Sequence, residues 1–193
     1  MRKKIGLAAA GVLFLGLTSY SQVVSFSLSS GLFFPKEEIY RDIYGQSMPL
    51  VLEVRIGISR YFGLAAGLEY LSDKGPAMNV NQGDTEFPLR FRMISYPVSG
   101  YFLYPLGKIS LSIGAGISFH SYKEEWEDLD LDHEGNKAKP FMSGGIEYQI
   151  APRLAVRLFL RYESIVTERG TYLPREINLG GLSLLGGLAF RVF

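Results

Sequence analysis

Seven charged side chains fall where a strand period of two would turn them to a common face: Glu53, Arg55, Glu69, Glu147, Arg157, Arg161 and Glu163. Four carboxylates and three guanidinium groups confined together can do one of two things. They can pair and fill a polar interior, since buried charges persist when paired and hydrogen-bonded and the Arg fork matches a carboxylate. Or they can line a path for a solute or a proton. A second group lies in the acidic segment 124–135, where Asp128, Asp130 and Asp132 alternate as calcium-loop ligands do. That match breaks at His133, in sixth place where Gly is needed, and at Lys139, in twelfth place where Glu is needed. The segment therefore offers a weak divalent-cation loop at most, and a solvated loop is the plainer reading. The third candidate is His120-Ser121. A nucleophile needs a base within hydrogen-bond reach and an acid to orient it. Neighbouring strand residues point to opposite faces, so Ser121 cannot serve His120 and a partner must come from another strand. With no Cys there is no thiol chemistry, disulfide framework or Cys-based zinc site. No catalytic residue, cofactor or metal site is assigned.

The elements that would position these groups are alternating strands. Residues 109–119 place Ile109, Leu111, Ile113, Ala115, Ile117 and Phe119 on one face and small or polar residues on the other. At about eleven residues, such a strand is long enough to cross a bilayer at a tilt. Further strands read at 23–34, 50–59, 64–71, from Leu89 onward, 141–150, 154–163 and 178–193. In the fourth, the apolar phase moves from Leu89, Phe91 and Met93 to Ile94, Tyr96 and Val98. A bulge near Met93 would account for that shift, because one extra residue swaps the faces. Pro97 should weaken the ladder there. Eight strands result, joined by connections that alternate long and short.

The first residues say where such strands could live. Arg2, Lys3 and Lys4 precede an apolar run of roughly 13 residues, and Ser19 and Ser21 follow before Gln22. That order is a cleavable signal peptide over 1–21, ahead of one domain over 22–193. Without its three cations the chain holds 17 Lys and Arg against 19 acids, which argues against a nucleic-acid partner. No later apolar run is long enough for a membrane helix. Only helices and closed barrels satisfy every backbone group in lipid, so an exported chain of this kind points to a barrel. The sparsely charged Ser/Gly face decides which side is outside. A water-facing surface carries denser charge, whereas small residues with a few paired charges suit the narrow interior of eight strands.

The segments ISRYFGLAAGLEY, ISYPVSGYFLYPLGKISLSIGAGISF and GGIEYQIAPRLAVRLFLRY, with the terminal Phe193, resemble the small OmpA/OmpX-like outer-membrane β-barrel domain of the porin family. One departure is visible: the face of Phe193 carries Arg191 and Gly187, while Leu182, Leu184, Leu188, Phe190 and Val192 form the stronger apolar set. The fold expected is all-β, an eight-stranded antiparallel up-and-down transmembrane β-barrel in a Gram-negative outer membrane. The resemblance implies a non-enzymatic monomer anchoring four surface loops for envelope structure, adhesion or partner binding. Its partners would be outer-membrane lipid and lipopolysaccharide, with periplasmic chaperones and the barrel assembly machinery during biogenesis. Two alternatives stand beside it. One is a lipid A-modifying enzyme, which requires His120 beside a hydroxyl and a carboxylate at a lipid-accessible rim. The other is a narrow solute conduit, which requires a continuous water path.

Overall fold

The computed structural model describes residues 23–78, 86–126, 131–164 and 180–192. The leader expected over 1–21, Asp128, Asp130 and Phe193 lie outside the described residues. Alternation along each segment produces eight strands: β1 (Val24–Pro35), β2 (Leu50–Gly57), β3 (Phe62–Met78), β4 (Glu86–Leu106), β5 (Ile109–Trp126), β6 (Leu131–Ala151), β7 (Leu154–Glu163) and β8 (Gly181–Arg191). Each pairs antiparallel with its neighbour in sequence, and β1 pairs with β8 to close the barrel. Closure leaves no sheet edge in the barrel wall, so the strand backbone there is satisfied without help from solvent.

One face of this barrel is apolar all the way round, and that face points out. Leu28, Leu52, Leu64, Val98, Ile113, Met142, Leu158 and Leu188 are all exposed, one from each strand. Soluble monomers rarely expose contiguous apolar patches above a few hundred Å². A continuous belt fits a hydrocarbon solvent. Aromatic pairs gather near the short turns, with Phe62 and Phe102 at 5.1 Å between ring centroids and Tyr61 stacked on Phe102 at 6.0 Å. Such rings favour the interface between hydrocarbon and water.

The bulge expected near Met93 is not there. Pairing of β4 with β3 and with β5 keeps one register along its length. The irregularity within a named strand pair falls between Gln149 and Ala151, at the β6–β7 turn. Leu89, Phe91 and Met93 simply face inward, on the same side as Ser95 and Pro97, and all five are buried. The apolar phase changes because the surroundings change. Below Met93 lipid lies outside and the polar lumen inside; above it water lies outside and an apolar plug inside.

That plug explains a second difference. The polar stretches 72–87 and 123–139, read as loops, are largely strand: β3 and β4, and then β5 and β6, extend as hairpins above the belt. The stretch after β1 also contains a helix, α1 (Glu38–Tyr44), followed by Gly45 at a positive φ of 69°. Glycine adopts a positive φ at little cost.

Candidate functional site

The lumen is where the charged residues meet, and it is built in layers. At the end bearing the long hairpins, α1 folds back over the opening. Its Tyr40 is buried in a cluster with Phe33, Leu71, Phe91, Met93 and Tyr122, and Tyr44 packs against that cluster. Tyr40 meets Phe91 edge to face at 5.5 Å and lies 4.7 Å from Tyr44. One oxygen of Asp73 accepts hydrogen bonds from the Tyr40 hydroxyl and the Ser47 hydroxyl, each at 2.6 Å. The returning chain is fastened to β1 where the Phe33 amide donates to the Ser47 carbonyl at 2.9 Å. Burial, then the Asp73 carboxylate beside it, pushes the Tyr40 hydroxyl far above the usual tyrosine range. Burial does the same to Tyr44 and also raises the Glu124 carboxyl. The cap is therefore a dry assembly of neutral rings around one carboxylate.

Beneath the cap lies a polar layer. The Arg161 guanidinium is paired with Glu69. His120 sits between two groups from other strands: the Ser95 hydroxyl of β4 lies 2.7 Å from its Nδ1, and a Glu163 oxygen of β7 lies 3.6 Å from its Nε2. Sequence reasoning singled out His120 but missed Ser95. The signal was the antiparallel register that sets Ser95 directly opposite His120, and the expected bulge would have broken it. A serine, a histidine and a carboxylate thus stand in contact, the set of groups used in acyl transfer. Their position argues against that use. Ser95 is 0% exposed and His120 2%, and they face the lumen rather than a lipid-accessible rim.

Next comes an apolar septum. Val51, Phe159 and Leu185 pack together across the interior and are nearly or completely buried. Below it the remaining charges form one network. Glu53 accepts from Arg55 Nε at 2.6 Å and from Arg157 at 2.7 Å. Arg157 also reaches the Ser27 hydroxyl at 3.0 Å and approaches Glu147 at 4.0 Å. Glu147 pairs with Arg191. The seven residues read from sequence are therefore split between two layers: Glu69, Arg161 and Glu163 above the septum, and Glu53, Arg55, Glu147 and Arg157 below it. Arg191 was missed as a member; it had been noted only as a departure on the face of Phe193.

Glu124, at the start of the acidic segment, lies near Tyr44 of the cap. Among the described residues, no group of three or more His, Cys, Asp or Glu side chains is placed to hold a metal ion. Of the three aspartates named for a cation loop, Asp132 falls in β6 and the other two lie outside the described residues.

No protein-family model matches this sequence, and no curated protein matches it. Solved structures do. OprG, an outer membrane protein from Pseudomonas aeruginosa, is similar with a TM-score of 0.65 at 9% identity, over 88% of this chain and 95% of that chain. Neisserial surface protein A (NspA) is similar with a TM-score of 0.59 at 12% identity, over 89% and 97%. Ail, the attachment invasion locus protein of Yersinia pestis, is similar with a TM-score of 0.51 at 10% identity, over 88% and 97%. Identities this low speak for architecture. They show that this chain has the closed eight-stranded fold of those outer-membrane barrels, with an apolar belt turned outward.

Proposed function

We infer that the chain is a sealed, non-enzymatic outer-membrane anchor that holds stiff strand hairpins above the cell surface for adhesion, envelope contact or partner binding. What supports this reading is the set of side chains that fill the lumen: the Tyr40 cap, the Val51–Phe159–Leu185 cluster and the paired charges. Eight strands leave no wide channel to begin with, and the packed layers narrow it further. The β5–β6 hairpin runs seven residues past Phe119, roughly 20 Å along the strand. Its segment 123–139 holds seven acids against Lys123, Lys137 and Lys139. A cationic partner, or divalent ions shared with lipopolysaccharide phosphates, suits that charge. Ail is named for attachment and invasion, and a surface-binding role of that kind fits the same layout. The chain would act as a monomer, inserted by the assembly machinery after its leader is removed.

Two measurements test the reading. In planar bilayers the refolded barrel should give no channel steps; reproducible steps would favour a conduit instead. A fluorophosphonate serine probe should leave Ser95 unlabelled, because nothing bulky reaches it; stoichiometric labelling would favour the lipid-modifying enzyme.

A further inference from the structure

Toward the short turns, whose residues Ile58, Ser59, Arg60 and Gly107 help to line it, the lumen holds a cavity of about 410 Å³. Its lining includes Arg55, Arg60 and Arg191 but a single carboxylate, Glu147. The balance of charge there is uneven. Glu53 and Glu147 face Arg55, Arg157 and Arg191 within the network. Arg60 adds a further cation at the mouth, lying over the Tyr61 ring with no carboxylate partner among the described residues. Arg55 gives its Nε to Glu53 and stacks 4.9 Å from the Tyr101 ring centroid. Its terminal nitrogens take no hydrogen bond among the described residues. The approach is cationic too. The three short turns carry Arg60, Lys108 and Arg153 and contain no acid.

The geometry points to an anion-binding vestibule that takes a phosphate group from the short-turn end, the periplasmic end in barrels of this layout. Ser25 of β1 stands in register between Arg55 of β2 and Arg191 of β8. The two arginines thus flank one small residue, two strands and roughly 10 Å apart at the backbone. Forked guanidinium donors reach inward from both walls, and a tetrahedral anion offers oxygens to each of them at once. A dianion also neutralises the two cations in excess, where a single carboxylate leaves one over. The septum closes the far end, so the vestibule binds rather than conducts. Ile58 and Phe62 at its rim are exposed at the level of the interfacial aromatics. A phosphate could therefore arrive on a soluble molecule or on a lipid head group, and the chemistry recognised is the same. This site does not depend on what the surface hairpins bind.

The test uses the refolded full barrel in uncharged maltoside micelles, following arginine Nε–H resonances by NMR. One arm adds inorganic phosphate and glycerol 3-phosphate; a second dopes the micelles with lysophosphatidylglycerol, against uncharged monoolein. Saturable shifts of Arg55 and Arg191 in the first arm support a soluble source, and in the second alone a lipid one. Arg60→Gln lies outside the paired network and should weaken binding roughly fivefold to tenfold without touching the fold. The Arg55→Lys and Arg191→Lys pair keeps the network's charge while removing the forks, and should abolish saturation read at the Nε–H resonances of Arg60 and Arg157, which this variant shares with the wild type. No saturable shift in either arm, or wild-type affinity in both variants, would overturn the proposal.

Discussion

Tyr40 shows how one buried hydroxyl ties a surface segment to a membrane scaffold. Its folded-state proton is held by burial and by Asp73, while an unfolded tyrosine releases its proton near pH 10. The neutral ring is therefore favoured in the fold. Its contribution is complete below pH 10 and declines as the pH climbs above it, because only the unfolded or uncapped state can ionise. An alkaline titration followed at 295 nm reads this directly. Tyr40 and Tyr44 should ionise only together with loss of the cap; a single transition for every tyrosine near pH 10 would refute this. Replacing Tyr40 with Ala should cost about 3 kcal/mol or more in refolding titrations, since it empties the cluster and leaves Ser47 alone on Asp73. At this scale the sequence was informative in part. The parity of Glu53, Arg55, Glu69, Glu147, Arg157, Arg161 and Glu163 followed from a period of two. Which of them touch did not, because pairing across the lumen depends on stagger between strands far apart in sequence.

Among the elements, α1 was the least legible. Its sequence, EIYRDIY, is seven residues long with three charges, and only the four-residue spacing of Tyr40 and Tyr44 points to a helix. The strands were legible from alternation, down to the limits of β7, which agree residue for residue. β4 misled because a strand crossing from lipid to water keeps its facing while its apolar side changes over. β8 carries a different constraint. A Cβ at Gly187 would come within 2.2 Å of the Leu28 carbonyl oxygen and 2.3 Å of the Ser29 hydroxyl. Gly187→Val must therefore push β1 and β8 apart at the seam. The expected result is a loss of about 1–3 kcal/mol in urea refolding with lipid vesicles, against little change for Gly186→Val on the outer face.

For the whole molecule, the apolar belt and the closed hydrogen-bond ladder make the folded barrel resistant to detergent until heated. The unboiled chain should migrate faster in a gel than the boiled one; identical mobility would contradict a closed barrel. The two ends also differ in kind. The short turns hold Arg60, Lys108 and Arg153 without an acid, while the β5–β6 hairpin is acidic. Calcium added at millimolar levels should give no saturable heat by calorimetry if that hairpin is only a solvated surface.

The seam between β1 and β8 carries one more implication. Eleven register pairs join them, against seven between β1 and β2, and the Val192 amide extends the ladder to the Val24 carbonyl. The first strand thus waits for the last. Until β8 has been synthesised and delivered, two rows of backbone donors and acceptors stay unpaired, and hydrocarbon cannot accept them. A nascent chain stalled short of Gly181 is not a smaller barrel but an open ribbon. Quality control by proteases therefore has a simple criterion to act on: whether the edges have met.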